Sequence, residues 1–179
     1  GDRVRFETDM DDAADITLTH PALITEVLDR KNYVIRKSTN LSRQSHVIAA
    51  NIDMAFAVVT LYFPEIKLPF LDRMLVTCEV YGVPVTIVMN KVDLYGKEAP
   101  EAVDNFINIY TKAGYRVVQA SAKTGEGIDG LRSICDGKVC LFSGESGVGK
   151  SSLIKALDPS LDPKIGKISI AHLQGKHTT

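Results

Sequence analysis

Cysteine is scarce in this 179-residue chain: Cys78, Cys135 and Cys140 are the three it has. The count is odd and no pair is spaced Cys-x-x-Cys, which removes the pattern that small zinc and dithiol redox sites use. They read as buried or free thiols of a reducing compartment. Long apolar runs are missing too. None approaches the roughly 20 residues a membrane helix needs, and the opening Gly1-Asp2-Arg3-Val4-Arg5-Phe6-Glu7 lacks the basic and apolar regions of a secretory signal. A soluble, cytoplasmic protein without a membrane partner is expected. Strong charge of one sign is also absent: 21 basic against 22 acidic residues give a formal net charge of -1, which excludes a whole-molecule nucleic-acid coat, and no DNA partner is expected. Locally the charge is uneven. Glu7, Asp9, Asp11, Asp12 and Asp15 lie close together, whereas Arg30, Lys31, Arg36, Lys37 and Arg43 run without an acidic residue between 30 and 52, and a second basic stretch follows from Lys164 to His177. Such runs are either solvated faces or RNA-contacting ones. There is no internal repeat or low-complexity tract.

What the chain does have is a change of texture near residue 47. Before it, Val4 to Glu7, Ala22 to Leu28 and Asn32 to Lys37 are short runs rich in β-branched and aromatic residues. They suggest part of a small β-barrel over 1–47, with the acidic segment 8–21 a long loop. From 48 to 179, strand and helix alternate. Val47 to Leu61 is almost wholly apolar and suits a central strand covered on both faces. The pattern then predicts a helix over Leu68–Tyr81, a strand over Val85–Met89, a helix over Ala99–Ala113 and a strand over Tyr115–Ala120. A short helix at Ile128–Ile134, a strand at Lys138–Phe142 and a helix at Ser151–Leu157 complete it. That alternation is the mark of an α/β, doubly wound and mostly parallel sheet.

Three loops in this second part carry chemistry. Gly144-Glu145-Ser146-Gly147-Val148-Gly149-Lys150-Ser151 matches G-x-x-x-x-G-K-[ST] between an apolar strand and a helix that continues with Ser152. Its glycines let backbone N–H groups turn toward phosphates, and the helix adds its positive end. Lys150 is placed on the β- and γ-phosphates and the Ser151 hydroxyl on magnesium. Asn90-Lys91-Val92-Asp93 follows a strand. A carboxylate at Asp93 accepts from two adjacent donors of guanine, which adenine does not present, while the Lys91 stem lies along the base and Asn90 ties loops together. Ser121-Ala122-Lys123 follows the next strand and offers the Ala122 N–H to the guanine oxygen. At the end, Gly175-Lys176-His177-Thr178-Thr179 reads as a switch: a threonine, assigned to Thr179 with Thr178 left open, joins Ser151 on magnesium, and His177 positions or activates water. A basic flexible tail is the other reading of that segment. His20, His46 and His172 have no ligand-like spacing. GTP or GDP with Mg2+ is thus the expected ligand set, Lys150 and His177 the expected catalytic pair.

The motif order is unusual. The base-reading loops precede the phosphate loop, as they would if the termini of a GTPase had been joined and the chain opened elsewhere. In that order, together with Gly1-Asp2-Arg3-Val4, Arg30-Lys31-Asn32, Ala49-Ala50-Asn51-Ile52-Asp53 and Ser121 to Gly127, the sequence resembles the RsgA (YjeQ) family of small-ribosomal-subunit-dependent GTPases over essentially its whole length. The resemblance implies a circularly permuted GTPase domain preceded by an OB-fold that binds 16S rRNA, and a role in late maturation of the small (30S) subunit. It also implies weak GTP hydrolysis stimulated by that subunit, with His177 replacing the usual catalytic glutamine. The family continues with an Asp-x-x-Gly loop and a C-terminal zinc domain, so the chain reads as a piece of such a protein, with Zn2+ expected only in that domain; a monomer is expected. The alternatives are a GTP-switched rRNA-binding module with incidental hydrolysis, a permuted GTPase of large-subunit assembly, and an ATPase or small-molecule kinase, which Asp93 speaks against.

Overall fold

A computed structural model describes residues 1–8, 22–37, 45–161, 168–169 and 174–175. The chain divides into two compact units, Gly1–Asn51 and Ile52–Thr179.

The first unit holds two antiparallel pairs. β1 (Val4–Glu7) lies against β2 (Leu23–Val27), with Val4 opposite Val27 and a register shift between Arg5 and Phe6. β3 (Tyr33–Lys37) lies against β4 (Ser45–Ala50). Asn51 closes the unit. Its φ is 55°, a left-handed conformation that asparagine tolerates better than most residues. Its side-chain amide donates to the Gly1 carbonyl at 2.9 Å, and its Oδ1 accepts the Lys31 N–H at 2.8 Å. Most of the acidic segment expected to be a long loop lies outside the described residues.

This turn corrects one expectation. The apolar run Val47 to Leu61 is not a single central strand: its first part is β4, and the central strand begins only at Met54. Between them the chain reverses character at Asn51, and the Asp53 carboxylate accepts the Val139 N–H at 2.9 Å.

In the second unit, β5 (Met54–Val59), β6 (Val85–Met89), β7 (Arg116–Gln119) and β8 (Cys140–Ser143) form a four-stranded parallel sheet in the order β7-β6-β5-β8. Parallel pairing requires crossovers, and the helices α1 (Leu68–Val80), α3 (Pro100–Lys112) and α4 (Ile128–Cys135) supply them, with a single turn α2 (Val92–Tyr95) after β6; α5 (Lys150–Leu157) follows β8. Successive side chains of β5 point to opposite faces. Ala57 and Val59 pack with Leu71 and Leu75 of α1 and Phe106 of α3, whereas Phe56 and Val58 pack with Leu131 of α4 and Leu153 of α5. Both faces are therefore covered, and that explains why β5 and β6 are apolar without alternation. Phe56 stacks on Phe142 of β8, centroids 4.7 Å apart. Prolines open α1 and α3, where a missing N–H costs nothing. Two short strands, β9 (Ile168–Ser169) and β10 (Gln174–Gly175), pair antiparallel. The sequence pattern did not predict them. Among the described residues no helix is long and apolar enough to cross a membrane.

Candidate guanine-nucleotide site

The loops after β6, β7 and β8 leave the same edge of the sheet, the carboxyl end, where open α/β sheets bind ligands. The loop from Gly144 to Gly149 joins β8 to α5. A Cβ at Gly144 would stand 2.3 Å from the Val58 carbonyl oxygen. At Gly149, where φ is 93°, it would stand 2.4 Å from the Asn90 side-chain nitrogen. Neither contact is tolerable, so the loop packs against its neighbours only with glycine at both places. Lys150 is the first residue of α5, and its ammonium donates to its own loop, to the Gly144 and Glu145 carbonyls at 2.9 and 2.7 Å. Burial pushes its pKa below the ordinary lysine value, opposed by the nearby Glu145 carboxylate. Glu145 itself forms an ion pair with Lys67 at 3.1 Å. Ser151 and Ser152 are half-buried in the first turn of α5.

The second loop is bound tightly to the first. Asn90 is 1% exposed, and its amide donates to the Val148 carbonyl at 2.8 Å. Lys91 follows in a left-handed conformation, φ 64°. Its ammonium donates to the Gly147 carbonyl at 2.6 Å and the Phe63 carbonyl at 2.7 Å. Burial lowers the Lys91 pKa, against the pull of Asp93. The third loop then orients the second: the buried Ser121 hydroxyl donates to Asp93 Oδ1 at 2.7 Å and accepts the Thr124 N–H at 3.1 Å. The Ala122 N–H, expected to meet a base oxygen, points at Asn90 Oδ1 at a long 3.3 Å.

A cleft of about 390 Å3 opens between these loops, lined among others by Asn90, Lys91, Asp93, Ala122, Lys123 and Ser152. It falls within the usual size of a small-ligand site. Val92 and Val148 are 5% and 4% exposed and turn into the two cores on either side of the sheet. They support the loops from beneath. His177, Thr178 and Thr179 lie outside the described residues. Among the described residues no group of three or more His, Cys, Asp or Glu side chains could hold a metal ion; Ser151, in the first turn of α5, carries a hydroxyl of the kind a hard cation takes.

Sequence reasoning missed three supports. Lys67 holds Glu145, the Phe63 carbonyl holds Lys91, and the buried Tyr95 hydroxyl donates to the Asn90 carbonyl. The first two join residues far apart in sequence and left no local signal. The third had one, since Tyr95 sits one turn beyond Lys91.

A glycine loop opening a helix, interlocked with an Asn-Lys-x-Asp loop that comes earlier in the chain, defines a P-loop GTPase of circularly permuted order. The chain belongs to the RsgA GTPase family, whose profile matches residues 27–179. A curated relative from Bacteroides fragilis, named small ribosomal subunit biogenesis GTPase RsgA, is 51% identical over 158 residues, 88% of this chain and 51% of the relative. A protein of the same name from Porphyromonas gingivalis is 45% identical over 179 residues, 100% of this chain and 55% of its own length. Of solved structures, YjeQ from Thermotoga maritima aligns with a TM-score of 0.73 at 35% identity, covering 92% of this chain and 52% of that one. YloQ, described as a circularly permuted GTPase, aligns at 0.65 and 26% identity over 89% of this chain and 50% of its own. The chain spans about half the length of the curated relatives it matches.

Proposed function

We propose that this chain binds GTP and hydrolyses it to GDP and phosphate, within a factor that assists late maturation of the small ribosomal subunit and is stimulated by it. The observation that supports this best is the interlocking of the loops after β6, β7 and β8 around one cleft, with Asp93 oriented by Ser121. In this reading Asp93 accepts the N1–H and exocyclic amine of guanine, the Lys91 stem lies on the base face, and the Ala122 N–H turns from Asn90 to the guanine oxygen. The N–H groups between Gly144 and Ser152 cradle the phosphates. Lys150 exchanges its two carbonyl partners for β- and γ-phosphate oxygens, so the loop offers a cation already desolvated and aimed. Water attacks the γ-phosphorus, the bond to the bridging oxygen breaks, and GDP leaves; His177 positions the water. Ser151 and Thr179 would hold magnesium, which would neutralise charge on the phosphate oxygens.

In the same reading the first unit is part of an OB-fold that meets 16S rRNA, and the protein acts in the cytoplasm as a monomer. The test is GTP turnover by the full-length protein that carries this chain, with and without purified small subunits. His177→Ala should remove the stimulation and leave GDP binding intact. Asp93→Asn should move preference from GDP to XDP, because an amide donates to the second xanthine oxygen where a carboxylate cannot. Absence of stimulation would remove the named partner, and an unchanged base preference would remove the guanine assignment.

A further inference from the structure

We propose that Tyr95 is a positioning residue for base recognition: its buried hydroxyl fixes the Asn90–Lys91 peptide and so sets the preference for guanine over hypoxanthine. This rests on the reading of the cleft as a guanine site. Three non-glycine residues among those described have positive φ, and two of them, Phe63 at 60° and Lys91 at 64°, face each other through the Lys91 ammonium and the Phe63 carbonyl. Lysine has no short polar side chain to ease the left-handed conformation, so its surroundings must impose it. The hydroxyl of Tyr95 does so from one turn ahead. It donates to the Asn90 carbonyl, the group directly before Lys91, while the hydroxyl oxygen of Tyr95 accepts from the Leu61 N–H in the loop after β5. One buried O–H thus couples the base-reading loop to the segment that carries Phe63. Tyr95 is 2% exposed, and burial pushes its pKa well above the ordinary tyrosine value, so the donor keeps its proton.

A purely packing role is the competing account. The ring belongs to the core beside α1 and α3 and meets Tyr62 edge-on, centroids 5.9 Å apart. Packing, however, needs only the ring. Tyr95→Phe keeps it and removes the O–H alone, leaving the Asn90 carbonyl and the Leu61 N–H without their partner.

The consequence falls on Asp93, three residues beyond Asn90, whose second contact to guanine is the exocyclic amine that hypoxanthine lacks. GDP and IDP are therefore the probes, titrated against wild type, Tyr95→Phe and Tyr62→Leu. Tyr95→Phe should fold, bind GDP on the order of ten-fold more weakly, lose less affinity for IDP, and turn over GTP at saturation at the wild-type rate. Restoring a donor on the same ring with p-aminophenylalanine at 95 should recover the preference. Tyr62→Leu, which removes the edge contact but not the hydroxyl, should melt lower with the GDP-to-IDP ratio unchanged. Equal losses for both nucleotides, an unchanged ratio, or failure of Tyr95→Phe to fold would each overturn the proposal. Asp93→Asn with XDP runs alongside: if that exchange fails, the base reading is at fault rather than the role of Tyr95.

Discussion

Lys150 is a cation turned back on its own loop, and its energetics follow from that. Its ammonium is half-buried against the Gly144 and Glu145 carbonyls, with a pKa lowered chiefly by desolvation. Below that lowered pKa the lysine is charged in folded and unfolded chains alike, and folding bears the full cost of burying it. Between the lowered value and the ordinary one the unfolded chain binds more protons, so stability climbs with pH; above both, the cost is gone. The nucleotide-free protein should therefore gain stability relative to Lys150→Met as pH rises toward the ordinary lysine range. Melting temperatures of the pair across alkaline pH check this, the other lysines cancelling in the difference. A constant or shrinking gap would mean that Lys150 is not desolvated. The same residue shows what was readable in advance. The motif placed Lys150 just before a helix at Ser151–Leu157, and α5 begins one residue earlier, at Lys150 itself; nothing local announced that Glu145 would be drawn off by Lys67, because that pair joins the phosphate loop to the start of α1.

At the level of elements, the phosphate helix is held at its far end by a neighbour. The guanidinium of Arg132 on α4 donates to the Leu157 and Ala156 carbonyls, both at 3.1 Å, and pairs with Asp129. Those carbonyls belong to the last turn of α5, which has no further helical N–H to accept, and a cation there also meets the negative end of the helix. Its side chain is half exposed, at 50%, so screening discounts the gain. Arg132→Met should cost about 1 kcal/mol, lowering the melting temperature by about 2–4 °C, and leave GDP affinity nearly unchanged, since the contact is at the end of α5 away from Lys150. A large loss of affinity in that variant would mean that the helix end and the phosphate loop move together. Elements of this second unit were legible because buried parallel strands and amphipathic helices leave strong periodic patterns; β6 begins and ends where the apolar run does. The break inside Val47 to Leu61 was not legible. Apolar continuity does not mark where one strand stops and the next begins; the break is carried by the left-handed Asn51 and by Asp53, whose carboxylate accepts the Val139 N–H. Single-turn α2 was also missed, being too short to show a period.

At the scale of the whole molecule, the permuted order puts every base- and phosphate-loop residue described here in one unit. Asn90, Lys91, Asp93, Ser121, Ala122 and the glycine loop all follow Ile52, and so do both cores that sandwich the sheet. Joining and reopening a chain changes which loop is met first, not which strands are neighbours, so the site depends on the sheet order rather than on the sequence order. It follows that residues 52–179 alone should fold cooperatively and bind GDP no more than roughly two-fold more weakly than the whole chain, because every site residue named above follows Ile52. Response to small subunits should behave differently. If RNA contact belongs to the first unit, with its basic run from Arg30 to Arg43, then the isolated second unit should keep its basal turnover and lose most of the stimulation, and salt should weaken subunit binding of the whole chain more steeply than that of the fragment. Fluorescent GDP titration and turnover assays on the two proteins separate the cases. Loss of GDP binding in 52–179 would mean that the first unit completes the site. Full stimulation of the fragment would place the subunit-facing surface on the GTPase unit itself.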